Sequence, residues 1–271
     1  MKTKELAVYF LLAYLISWVI WSPYWLPSFG FNTHPILPYQ HGIGGFGPML
    51  SAFITTAIFG GRADVRKLWR SLTAWRPLSW LLIAILTPPA LALLGGLVAW
   101  INDGQFPDFS RFGYSDEFPE LGAAGFLVYN AVFFGFGEET GWRGFALPRL
   151  QGRYNALVST IILSVFWAGW HIPIFTYRPG YVSMDFGGVA GWYFSILTGA
   201  VLLTWLFNGS RGSILACALF HGLIDVVFMS EYGNPGMMQY IGIAVTILGI
   251  ALLFVFGRRN LAKGERVKAL D

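Results

Sequence analysis

The sequence predicts an all-α, polytopic transmembrane bundle of about eight spans, and three observations predict it. Hydrophobic residues make up 55% of the 271 and charged residues 12%, half of the ~25% charged usual in soluble domains, and mean hydropathy is +0.57. Apolar runs long enough to cross hydrocarbon as helices, about 17–25 residues, recur along the whole chain. Lys and Arg collect on alternate connections between those runs, as topology rules require of a membrane protein.

The first run, Leu6 to Leu26, follows the charged Lys2-Thr3-Lys4-Glu5 and has no small-residue cleavage site after it, so it reads as a retained span. Further runs fall near 43–60, 80–101, 121–147, 155–174, 188–208, 213–230 and 237–257. Between them lie short connections rich in Gly, Asn and Arg, such as Phe59-Gly60-Gly61-Arg62 and Asn208-Gly209-Ser210-Arg211-Gly212. With no repeat, low-complexity stretch or soluble domain, residues 1–271 read as a single membrane domain.

Placing the amino terminus in the cytoplasm puts 16 of the 18 Lys and Arg residues on the inner side, including five from Arg62 to Arg76 and five from Arg258 to Lys268. Only Arg111 and Arg178 remain outside, where the 102–120 connection carries five acids. Both termini are therefore expected in the cytoplasm. The basic residues lie in juxtamembrane connections facing anionic lipid, which accounts for a pI near 9.2 without a nucleic-acid partner. The single cysteine, Cys217, excludes disulfides within the chain and a Cys-rich metal site. Compact size without an organelle-targeting sequence points to a prokaryotic cytoplasmic membrane.

Glu138, Glu139, Arg143, His171, His221 and Asp225 interrupt these apolar runs. Each charge near a bilayer centre costs on the order of 2.5–3.5 kcal/mol on insertion scales, so such groups are expected to face one another around a wet cavity. In Phe136-Gly137-Glu138-Glu139-Thr140-Gly141-Trp142-Arg143, Glu139 and Arg143 are i and i+4 and can pair, while Glu138 lies about 100° round the helix. One carboxylate can be held in an ion pair while its neighbour stays available; the bland alternative is a packing cluster at a helix end. In Trp167-Ala168-Gly169-Trp170-His171-Ile172-Pro173 a histidine sits where a helix stops at proline, as an interfacial residue also would. His221 and Asp225 are again i and i+4, a spacing that lets the carboxylate fix the imidazole tautomer or simply tie down a helix contact.

Taken together, the three segments resemble the CAAX-processing and bacteriocin-processing (Abi) family of intramembrane proteases, whose pattern is E-E-x-x-x-R, F-x-x-x-H and H-x-x-x-N or D on three helices. Here they read Glu138-Glu139-x-x-x-Arg143, Trp167-x-x-x-His171 and His221-x-x-x-Asp225, with Gly141 to Gln151 and Trp170-His171-Ile172-Pro173 also similar, over about 130–228. The resemblance implies an endopeptidase acting on a membrane-embedded or lipidated protein or peptide. It implies Glu138 as the base activating water with His171 beside it, Glu139 and Arg143 holding the geometry, and His221 and Asp225 facing the oxyanion. Trp167 departs from the family Phe and reads as a packing variation. Asp225 stands where the eukaryotic branch has Asn, and an ionised Asp cannot donate to an oxyanion.

The family is described as metalloproteases, and Glu138, His171 and His221 could hold zinc; a metal-free glutamate mechanism fits the same residues, and both stay open. No H-E-x-x-H stands in the chain. A non-catalytic immunity or scaffold protein with the protease fold, and a transporter with intramembrane carboxylates, are the other classes in play. The site is expected between the bilayer centre and the cytoplasmic face and to be reached from the cytoplasm. His171, sixteen residues from Asn155 and so about 24 Å along a straight helix, strains that expectation unless helices tilt or the 149–155 connection dips inward.

Overall fold

In hydrocarbon no water satisfies backbone N–H and C=O groups, so each apolar run must close its own hydrogen bonds, and helices result. A computed structural model describes residues 2–75, 77–234 and 236–269. Arg76, one of the basic residues in the charge count, lies outside the described residues. Among the described residues, helical rods occupy the apolar runs: α1 Lys2–Trp25, α2 Gly47–Ser71, α3 Leu78–Asp103, α4 over 122–151, α5 Ala156–Trp170, α6 Phe186–Gly209, α7 Ile214–Met229 and α8 Met237–Asn260. No strand occurs among the described residues. Among the described residues six stretches are long and apolar enough to cross a membrane; α7 is a shorter apolar helix, and α4 carries the Glu and Arg motif. The protein is an all-α integral membrane protein.

Local chemistry sets the rod ends. Asn155, Asp185 and Ser213 cap α5, α6 and α7, their side chains accepting from the backbone N–H of Val158, Gly188 and Ala216. Pro173 stops α5, which runs on only as a 3₁₀ turn, Ile172–Thr176. In α4 two π-turns, Ala131–Phe136 and Trp142–Ala146, flank the α-helical Gly137–Gly141 that bears both glutamates. Such π segments rotate the side chains that follow them and recur at functional sites.

Pairings across the bundle define its two ends. At one, Arg149 pairs with Glu5 at 2.8 Å, Gln151 and Asn208 bond at 3.0 Å, and Asn208 donates to the Asn260 carbonyl at 2.7 Å. At the other, Arg178 meets Glu117 at 2.6 Å, Tyr177 meets His41 at 2.7 Å, and Glu231 N–H donates to the Tyr114 carbonyl at 3.0 Å. Outward faces stay apolar: Leu11, Leu15 and Val19 form an exposed i, i+4, i+8 stripe on α1, suited to acyl chains. Inside, Trp21, Trp142, Trp170 and Tyr9 are fully buried, and polar groups bridge helices, with Ser17 Oγ donating to the Gly44 carbonyl at 2.7 Å and Ser51 Oγ to that of Tyr9 at 2.6 Å.

Rod α7 is short because it starts deep. Its first residue, Ile214, packs on Gly144, seven residues before the end of α4 at Gln151, so it begins about 10 Å inside the level of Gln151. Glycine lets α7 press onto α4: a Cβ at Gly222 would lie 2.6 Å from Ala131 Cα and 2.8 Å from its N, both backbone atoms that cannot yield. Gly222→Ala is therefore expected to destabilise the bundle by about 1–3 kcal/mol through overpacking, read as a lowered thermal midpoint in detergent; an unchanged midpoint would show that the two rods are not in such contact.

Candidate active site

The buried ion pair is the firmest part of the site. Glu139 and Arg143, one turn apart on α4 and both fully buried, meet with Arg143 Nη1 2.7 Å from Glu139 Oε1. That same oxygen is 2.7 Å from His221 Nδ1 on α7. A carboxylate accepts, so the His221 Nδ1 proton points at Glu139 and Nε2 turns the other way. His221 Nε2 stands 3.7 Å from Asp225 Oδ2, beyond hydrogen-bond length. Spacing alone paired His221 with Asp225; in the structure its close partner is Glu139, across the helix interface.

Glu138 points elsewhere, as its 100° offset requires. Its Oε2 accepts from Trp167 Nε1 on α5 at 2.6 Å and from Trp142 Nε1 at 3.1 Å. His171, one turn beyond Trp167, donates from Nδ1 to the Trp167 carbonyl at 2.7 Å, because a carbonyl can only accept, which makes Nε2 the unprotonated nitrogen of the neutral ring. The Trp167 ring lies 4.6 Å under the Arg143 guanidinium, 5.6 Å from the His221 ring and 6.0 Å from that of His171. Trp167 thus touches Glu138, Arg143, His171 and His221. Trp167 is therefore more than a packing variation of the family Phe, and an indole N–H one turn before a histidine is the signal for it in the sequence.

All six residues singled out in the sequence fall in this one region, from α4, α5 and α7. Glu139, Arg143 and His221 are joined through direct contacts, Glu138 and His171 through Trp167, and Asp225 stands at the edge with its side chain 26% exposed. Among the described residues no three His, Cys, Asp or Glu side chains come together as a metal-ligand group. Glu138, His171 and His221 each have one donor atom turned to an indole, a backbone carbonyl or Glu139, and each keeps a second, the arrangement in which an outer partner orients a metal ligand.

A helical membrane bundle with a carboxylate and histidine centre inside it is the class of protein these observations define. Residues 120–227 match the family model for type II CAAX prenyl endopeptidase Rce1-like proteins. The chain is also 32% identical over 153 residues to CAAX prenyl protease 2 of Methanococcus maripaludis, covering 53% of this chain and 54% of that protein. The chain thus aligns with about half the length of this curated relative. The matched segment contains all six residues.

Replacing Trp167 by Phe, the residue usual in the resembling family, removes the shorter of the two hydrogen bonds to Glu138 while keeping an aromatic ring under Arg143. The expected result is a folded protein with turnover reduced about 10-fold, as for loss of one hydrogen bond to a charged group, and KM little changed. Unaltered turnover would show that this indole plays no part in aiming the carboxylate.

Proposed function

We propose that the protein is a CAAX-type intramembrane endopeptidase that hydrolyses a peptide bond in a membrane-anchored or lipidated protein or peptide. The observation that carries this reading is the division of the two adjacent glutamates: Glu139 is locked by Arg143 and His221, whereas Glu138 is held by one oxygen only, between two indoles.

In this reading Glu138 Oε1 takes a proton from water as the water oxygen attacks the scissile carbonyl carbon. His171 Nε2 positions that water. His221, fixed through Nδ1 by Glu139, turns Nε2 toward the carbonyl oxygen, and a proton there stabilises the oxyanion. Asp225 orients that edge of the imidazole. When the tetrahedral intermediate collapses, the C–N bond breaks and Glu138 returns its proton to the leaving amine. No step is routed through a metal. Membrane localisation follows from the fold; the prokaryotic cytoplasmic membrane, with both termini in the cytoplasm, completes the proposal.

The test is cleavage of a membrane-anchored peptide library by purified protein in lipid. Wild type is expected to cleave, Glu138→Gln to lose about 10²–10⁴-fold in rate, and a strong chelator to leave the wild-type rate unchanged. Persistent cleavage by Glu138→Gln removes Glu138 as the base, chelator sensitivity restores the zinc alternative, and a folded wild type that cleaves nothing supports a scaffold instead.

A further inference from the structure

We propose that a cavity at the end of the bundle opposite Glu5 and Arg149 binds an organic ammonium that carries an acceptor oxygen beside it. An amine-bearing phospholipid headgroup and a free amino alcohol share that chemistry. The cavity measures about 480 Å³, within the range usual for small-molecule sites, and none of the six residues of the α4, α5 and α7 site borders it. It is a second site, apart from the one that serves the proposed hydrolysis.

Aromatic rings make its walls. Tyr24 lies in the last turn of α1, Tyr39 precedes α2, Phe118 stands between α3 and α4, Tyr129 belongs to α4, and Tyr177 follows the 3₁₀ turn after α5. Phe118 and Tyr129 have ring centres 4.8 Å apart, with Tyr39 at 5.6 Å from Tyr129 and 6.2 Å from Phe118, and the three planes are inclined to one another. Tyr24 and Tyr177 stack at 5.1 Å. All of these rings except that of Tyr129 are only half-buried, so part of each remains for a ligand, and an aromatic face attracts a cation. Tyr39 is also held at φ 52°, the left-handed region that strains any residue with a Cβ, and such strain clusters at ligand clamps.

Charge decides the sign of the ligand. Arg178 is already committed, its Nη2 donating to Glu117 at 2.6 Å and its Nη1 to His41 Nε2 at 3.1 Å. A guanidinium only donates, so His41 Nε2 accepts, the ring is neutral, and its Nδ1 proton goes to the Tyr177 oxygen at 2.7 Å. Glu120, the other carboxylate of the lining, accepts from the Tyr39 hydroxyl and pairs with no cation among the described residues. Two carboxylates against one guanidinium leave a negative charge uncompensated among the rings. An anion would meet that charge, whereas an ammonium balances it while lying on the ring faces.

The hydroxyls supply the second half of the recognition. With His41 donating to its oxygen, Tyr177 keeps its own proton for an acceptor, and the buried Tyr129 hydroxyl finds no acceptor among the described residues. Both donors suit the oxygen that amino alcohols and phosphodiester headgroups carry near their nitrogen. The level suits a headgroup as well, since α1 and α5 stop and α4 starts at this end, where membrane proteins place their tyrosine belts.

The test is ligand binding to the purified full chain in an amine-free maltoside detergent. The probes are ethanolamine, choline and dihexanoylphosphatidylcholine, with dimethylbutanol, the carbon isostere of choline, as the uncharged control. Saturable binding of a cationic probe is expected, with the isostere weaker by about 10-fold, the factor that loss of one cation and ring contact implies. Glu120→Gln is expected to weaken the cation by a similar factor and to leave the isostere unchanged. Phe118→Leu, which removes a ring and keeps an apolar side chain, takes its place should Glu120→Gln fail to fold. Tighter binding of the phospholipid than of choline or ethanolamine assigns the site to a lipid headgroup, and equal affinity assigns it to a free amine; either upholds the proposal. An isostere bound as tightly as choline, affinity indifferent to both substitutions, or no cationic probe bound by the folded wild type overturns it.

Discussion

One oxygen atom organises this protein. Glu139 Oε1 sits 2.7 Å from a guanidinium of its own helix and 2.7 Å from an imidazole of another, with the ion pair sealed from solvent. Removing one partner from such a buried pair costs about 3–5 kcal/mol, because the survivor is left charged without a counterpart. That penalty couples α4 to α7 and fixes the imidazole tautomer. It also commits Glu139 to structure, so that the adjacent Glu138, turned about 100° away, can serve chemistry.

Close backbone contact makes this geometry possible. Gly222 lets α7 approach Ala131 of α4, and Gly135 lets α4 approach the Ala218 carbonyl of α7 from the other side, within a turn or so of the site residues. On the third side α5 delivers Trp167, whose N–H fixes Glu138 and whose ring carries the Arg143 cation on its face. An indole can do both, since it has a donor at its edge and an electron-rich face. The site is therefore a junction of three helices in which each polar group is oriented by a neighbour from the packing around it.

What was legible in the sequence follows from what is local. Hydropathy marks the rods, since each must satisfy its backbone alone in lipid, and i, i+4 spacing brought Glu139 to Arg143 without any knowledge of tertiary structure. The same rule overstated His221 with Asp225: proximity along one helix was right, but the carboxylate within hydrogen-bond length came from α4. The bond from Trp167 to Glu138, the π-turns around Gly137–Gly141 and the deep start of α7 all depend on how rods pack, and a one-dimensional pattern carries no register between helices. The depth of His171 shows the cost of that gap. Its sixteen residues from Asn155 were countable from the start, yet only the packed bundle shows α5 running nearly its full length before the histidine, on the side away from the basic connections.

The central claim is that two neighbouring glutamates divide their labour, one for the fold and one for the reaction, and thermal unfolding of Glu139→Gln beside Glu138→Gln in the same lipid-detergent mixture tests it most directly. The account predicts that Glu139→Gln, which strands Arg143 and His221 without their carboxylate, unfolds many degrees below wild type while Glu138→Gln unfolds close to it. Equal losses from the two substitutions, or the larger loss from Glu138→Gln, would contradict it.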